Sequence, residues 1–203
     1  MKKLFFIITF AVFSALLING QTTVKIGDQT WAGENLNVVT FRNGDSLIEA
    51  KTEKEWKKAI KEKKAAWCYY NNEAANGKKH GKLYNEFAIT DPRGLAPVGF
   101  HIPTNEDWIK LGESLGSLKE AGFKLKSSTD FDGDNSSGFN GMASGIRYAN
   151  GPNGFGGAYD NLGVIGYYWS ARRDVWFLKI KKKSINKIPS SAGCYLSVRC
   201  IAD

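Results

Sequence analysis

Apolar and polar positions alternate through Val24-Lys25-Ile26 and again through Gln29-Thr30-Trp31, and only Gly27-Asp28 separates the two runs. Two-residue loops of this kind close antiparallel hairpins, because glycine supplies the positive φ that the turn demands. The pattern predicts a strand pair at the start of the domain. Over residues 52–64 the period changes: Trp56, Ala59 and Ile60 recur at helical spacing, and Thr52 with Glu55 makes a capping box. Further on, Asp91-Pro92-Arg93-Gly94 and Pro97-Val98-Gly99 read as two turns, and Phe100-His101-Ile102 as a short strand closed by Pro103. Thr104 and Asp107 then start a helix over 104–115 that carries Trp108, Leu111 and Leu115. A third helix candidate lies near 117–123. Near the C-terminus Trp176, Leu178 and Ile180 alternate with Phe177, Lys179 and Lys181, which suits a strand with one buried face.

Between these elements, residues 127–161 are dominated by Gly, Ser, Asn and Asp, yet Phe131, Phe139, Met142, Ile146, Tyr148, Phe155 and Tyr159 recur through them. Such a stretch cannot form regular helix, and its aromatics imply ordered, folded-over loops. The sum is an α+β single domain with a small antiparallel sheet, two to three helices and long irregular loops. Ahead of it, Met1-Lys2-Lys3, the apolar run 4–18 and Asn19-Gly20 read as a signal peptide over residues 1–20, leaving a domain over 21–203. The run is too short for a comfortable membrane span. No cysteine lies near the cut, so a lipoprotein route is not expected. The expectation is a secreted or cell-surface protein with no stable membrane insertion after cleavage.

Charge changes this picture little. The net charge of +8 is concentrated in seven lysines over residues 51–64 and five over 179–187. Acidic glycans, an anionic cell surface or nucleic acid could each respond to such a balance, and nucleic acid is the least available to an exported protein. In the first run, the capped amphipathic helix explains the lysines as a solvated face. In the second they can guard a sheet edge against mispairing.

The module Gly81 to Leu111, together with several other blocks, resembles the Fibrobacter succinogenes major paralogous domain, a family of secreted or surface proteins of Bacteroidetes and Fibrobacteres. The blocks are Val24 to Trp31, Glu34-Asn35-Leu36-Asn37, Trp67-Cys68-Tyr69-Tyr70-Asn71-Asn72, Gly138-Phe139-Asn140 with Gly145 to Arg147, Tyr168-Trp169-Ser170, and Ser197-Val198-Arg199-Cys200. The resemblance implies a fold distantly similar to the formylglycine-generating enzyme and C-type lectins, ending in a strand over 196–200. It carries no general activity. Three cysteines in an exported chain allow one disulfide. Because Cys68 and Cys200 fall in family-like blocks and Cys194 between them, the expected pair is Cys68 with Cys200, with Cys194–Cys200 as the rival.

Three constellations could carry chemistry. Asp130, Asp132 and Asp134 alternate as in calcium loops, although Asn135 and Gly141 stand where an EF-hand needs glycine and glutamate, so an ordinary solvated loop is the other reading. Cys194 and Cys200 do not match the spacing of formylglycine-type oxidases; His101, between Phe100 and Ile102 in the expected strand, reads as structural, and His80, in the Lys78-Lys79-His80-Gly81 turn, as exposed and not catalytic. Tyr148, Tyr159, Tyr167, Tyr168 and Trp169 with Arg147, Arg172 and Arg173 combine rings with polar arms, as sugar or peptide surfaces do. Of these, Trp169 and Arg147 lie in family-like blocks that suit a structural role. Tyr148, Tyr159, Tyr168, Arg172 and Arg173 are the ligand-binding candidates. The resulting expectation is a non-catalytic binding module for a glycan or a cell-surface protein, with no cofactor unless calcium. The alternatives are an accessory or tip component of an adhesin or fimbria, and a divergent metal-dependent enzyme.

Overall fold

The computed structural model describes residues 16–18, 21–148 and 158–203. The predicted leader, apart from Leu16–Ile18, and Phe155 of the glycine-rich stretch lie outside these residues. The strands are β1 (Leu16–Ile18), β2 (Gln21–Ile26), β3 (Gln29–Ala32), β4 (Ile48–Glu49), β5 (Ala66–Cys68), β6 (Leu83–Asn85), β7 (Phe100–His101), β8 (Ser144–Arg147), β9 (Tyr159–Leu162), β10 (Ile165–Trp169), β11 (Asp174–Lys179), β12 (Ile185–Pro189), β13 (Tyr195–Leu196) and β14 (Ile201–Ala202). The helices are α1 (Glu53–Lys61), α2 (Ala74–His80), α3 (Glu86–Ile89), α4 (Asn105–Ser114) and α5 (Ala121–Leu125).

Two sheets organise the α+β domain. One runs β1-β2-β3-β14-β7; the other runs β12-β11-β10-β8-β13-β6-β5-β4, with β9 also on β8. The second sheet is mixed, because β10 lies parallel to β8 and β4 parallel to β5. The small antiparallel sheet expected from sequence is thus two sheets of five and nine strands. The N-terminal hairpin forms as the pattern requires, with Ile26 opposite Gln29 and Gly27 at φ 58°. Both capping boxes form: Thr52 with Glu55 opens α1, and Thr104 with Asp107 opens α4.

The expected terminal strand is divided. β13 pairs with β6 and β8 in one sheet and β14 with β3 and β7 in the other, so Ser197 to Cys200 cross between sheets. All four crossing residues are buried. Backbone groups buried away from water need partners, and they have them: Trp169 donates to Ser197, Leu36 to Val198 and Ala32 to Cys200. The crossing joins two cores, one around Tyr84, Phe100, Trp169 and Leu196, the other around Trp31, Trp108, Phe139 and Tyr168.

The cysteines correct the disulfide expectation: Cys68, Cys194 and Cys200 are all buried and unbonded. Cys68 sits on β5 in a third core with Trp56 and Tyr195, whereas Cys200 lies at the crossing in the first. Cys194 shares that first core with Cys200, yet the rival bridge is not made either. Burial pushes the Cys68 thiol up, and Cys200 to about 12, so neither is a ready thiolate. Titration with a thiol reagent is expected to find three thiols in denaturant and almost none in the native protein; a count of one in denaturant would restore a disulfide.

Candidate ligand-binding site

The residues predicted to bind ligand split on burial. Tyr168 is 0% exposed, donating from its hydroxyl to the Met142 carbonyl (3.1 Å) and accepting from the Met142 N–H (3.0 Å). It is a core residue and cannot meet a surface ligand. The parallel register of β8 and β10, Gly145 opposite Gly166, carries Tyr148 and Trp169 to the same end of the sheet. Tyr159 faces Arg147 there, and Arg172 and Arg173 lie in the turn after β10. Tyr148 is half-buried against the first core. The Tyr159 hydroxyl donates to Asn72 Oδ1 at 2.9 Å, and burial raises its pKa. Arg173 approaches Glu86 at 3.6 Å. Beneath Tyr159, the buried Arg147 guanidinium is held over the rings of Trp56, Tyr159 and Tyr195 at 5.3, 5.2 and 5.7 Å. This aromatic box is filled by the protein's own cation.

The three aspartates of the calcium candidate bond different partners. Asp130 accepts from Lys79 at 2.7 Å, Asp132 from Lys126 Nζ and the Lys181 N–H at 2.5 Å each, and Asp134 from the Ser136 N–H at 2.9 Å. The three carboxylates face different neighbours, so they do not converge on one point. Among the described residues no group of three or more His, Cys, Asp or Glu could hold a metal ion. Instead Asp132 meets the buried ammonium of Lys126 and pins this loop to the turn between β11 and β12.

The feature that does form a receptacle lies elsewhere. Where β3 leads into residues 33–37, the chain faces α2 on one side and the 127–142 loop on the other. A cleft of about 170 Å³ opens there, lined by Glu34, Asn35, Asn37, Lys78, Lys79, Thr129, Asp130 and Asn140. It continues past Glu34 into a second hollow beside Gln21 and Thr22 and a wider one of about 450 Å³ beside Ser128 and Asn135. Apart from Asp130, named as a calcium candidate, sequence reading singled out none of these residues as a ligand site, because single Asn, Thr and Glu side chains carry no spacing signal; the hints were that 34–37 and Asn140 fall in family-like blocks.

The floor of the cleft is built on Arg199 from the crossing segment. Its Nε and Nη2 donate to Asn35 Oδ1 (3.0 and 2.8 Å), and Nη1 to the carbonyls of Ala32 (3.1 Å) and Phe139 (2.6 Å). Asn35 in turn donates to the His80 carbonyl (2.8 Å) and Ser144 Oγ (3.0 Å), so one amide links three walls. Next to it, the buried Lys82 ammonium donates to the Asn37 carbonyl (3.0 Å) and Oδ1 (2.5 Å) and lies over the rings of Trp67 and Tyr69.

His80, expected in an exposed turn, ends α2 and is buried, because the helix packs it inward, and its Nδ1 has no hydrogen-bond partner among the described residues. Burial first, then Lys79, lowers its pKa. A folded pKa below the unfolded one means that the unfolded chain binds the proton more readily. The stabilisation is therefore complete above about pH 6.5 and is lost as the pH falls from there through the folded value. Urea midpoints are expected to decline from pH 7 to 5, and His80→Gln to flatten that decline; equal slopes in both proteins would remove His80 as the cause.

His101 is held on β7 between Asp203 (2.9 Å) and Asp107 (3.4 Å), at the mouth of α4. Among the described residues no helix is long and apolar enough to cross a membrane. In comparison with protein families, residues 24–202 match the model of the Fibrobacter succinogenes major domain. Comparisons with curated proteins and with solved structures return no match.

Proposed function

The chain belongs to the Fibrobacter succinogenes major domain family, and on that premise we propose that it is an exported, non-catalytic binding module that takes a glycan in the cleft between Asn35, Lys78 and Asn140. The observation that carries this reading is the lining: amides, hydroxyls and charged groups from three separate chain segments converge on neighbouring hollows that share Glu34. Polyhydroxylated ligands need such convergent donors and acceptors to fix their orientation. The cleft is held by buried bonds from Arg199 and Lys82, so its floor is organised before a ligand arrives.

The two histidines and the three thiols are engaged or buried in ways that serve the fold, which favours binding over catalysis. A glycan array with the purified protein, with and without calcium, tests the proposal. Binding to at least one glycan class, weakened by Asn140→Ala and Thr129→Ala, is the expected result. Absence of binding across the array would overturn it. A second reading, an accessory component of a surface assembly, draws on an apolar hollow of about 360 Å³ lined by Ile109, Leu118, Trp176 and Ile185. It predicts a stable protein partner on purification from the native envelope.

A further inference from the structure

Two buried cations stand under the cleft, and among the described residues neither is neutralised by a contacting carboxylate. Arg199 is 0% exposed and Lys82 4% exposed. Among the described residues every hydrogen bond of Arg199 goes to a neutral oxygen, those of Asn35, Ala32, Phe139 and, at 3.4 Å, Asn140. Among the described residues Lys82 likewise donates only to the two oxygens of Asn37. Buried charges are ordinarily paired with an opposite charge, so this arrangement leaves a positive field that low-dielectric walls focus into the hollow. Burial lowers the Arg199 pKa, as expected for a guanidinium without a contacting anion.

The rim itself is balanced, two lysines against two carboxylates, so the excess positive charge is that of the buried pair. Of the charged residues lining the first hollow, Lys79 and Asp130 pair with each other at 2.7 Å. That leaves Lys78, with no ion-pair partner among the described residues, and Glu34, which acts on Arg199 through space only. Asn37 Oδ1 is taken by Lys82, so the free end of that amide is a donor.

We propose that the cleft selects acidic glycans, a carboxylate or sulfate of the sugar being received between Lys78 and the Asn37 amide above the buried Lys82 and Arg199. This rests on the glycan reading given above and adds the ligand's charge to it. Glu34 excludes the anion from its own end of the cleft, so the acidic group sits toward α2 and the neutral hydroxyls toward Thr129 and Asn140. A nucleic acid fits less well. No aromatic ring among the described residues lines the three hollows for a base to stack on, and single-strand binders combine such rings with a long cationic track.

The test compares an oligogalacturonate, a sulfated heparin oligosaccharide, a neutral cello-oligosaccharide and a single-stranded DNA oligomer by anisotropy with the purified protein. One or both acidic glycans are expected to bind about tenfold or more tighter than the neutral one in low salt, with the margin shrinking as salt rises. Whichever binds distinguishes carboxylate from sulfate. Lys78→Gln and Asn37→Asp should each cut the acidic-to-neutral ratio about fivefold or more; the aspartate keeps a partner for Lys82 while opposing the anion. Lys187→Gln, a lysine outside these hollows, should leave the ratio unchanged. Neutral binding with no acidic preference overturns this proposal and leaves the glycan reading intact; no glycan binding at all overturns both. DNA binding as tight as the acidic glycans, or an equal effect of Lys187→Gln, would mean unselective attraction of polyanions and also overturns it.

Discussion

Arg199→Met is expected to lower the unfolding free energy by about 3–5 kcal/mol, because it takes the donors from several buried acceptors at once. The reason is positional. Arg199 sits in the crossing between the two sheets, where the chain makes no regular ladder and its side chain supplies much of the cohesion. Methionine fills most of the volume but leaves Asn35 Oδ1 and the carbonyls of Ala32 and Phe139 without the donors they now have. Each buried acceptor left unpaired costs on the order of 1–3 kcal/mol, reduced where water can enter from the cleft. Arg199→Lys should recover only part of the loss, because an ammonium cannot present the planar fork that meets Asn35 from two nitrogens. Urea unfolding with an unchanged m-value checks both. A loss below about 1 kcal/mol for the methionine variant would show that the crossing is held by its backbone bonds alone.

The same residue shows where sequence reading stops. The N-terminal hairpin and the helices α1 and α4 were legible because their signals are local: Gly27-Asp28, Thr52 with Glu55, Thr104 with Asp107. The alternation at Trp176 and Leu178 likewise gave β11. By contrast α2 was missed, since Ala-Ala-Asn-Gly-Lys-Lys-His has no apolar stripe. A Cβ on its Gly77 would lie 2.0 Å from the Tyr69 ring, so that glycine answers to a neighbour and not to helix propensity.

The division of the last strand was illegible for a related reason. Leu196 to Cys200 alternates well enough to be one strand, and only the partners β6 and β3, distant in sequence, pull its ends into different sheets. Proximity in the family-like blocks misled the disulfide pairing, because two cysteines can each be required by the core without facing each other. Tyr168 misled the site for the same reason: an aromatic among glycines looks like a recognition ring, but its hydroxyl is spent on Met142. The cleft itself arises from three segments meeting, and nothing local marks that.

Trp108→Ala should cost about 3–5 kcal/mol, with a rise in the unfolding rate and no change in m-value. Trp108 is 0% exposed, and four rings converge on it: Trp31 at 4.9 Å, Tyr168 at 5.6 Å, and Phe139 and Trp176 at 6.0 Å. Those rings come from β3, β10, the 127–142 loop and β11, so α4 acts as the peg on which both sheets and the loop are hung. Alanine would leave a cavity between rigid aromatic neighbours that cannot collapse into it. Phenylalanine is the sharper probe. The buried Trp108 indole N–H has no partner among the described residues, whereas the Trp176 N–H donates to Asn105 Oδ1 at 2.9 Å. Removing an unsatisfied donor relieves a desolvation penalty, and removing a satisfied one creates an orphan acceptor. Trp108→Phe is therefore expected to be milder than Trp176→Phe despite its deeper position. The reverse order in paired urea melts would place a bonded water at the Trp108 nitrogen and move the weight of this core from the peg to the sheet.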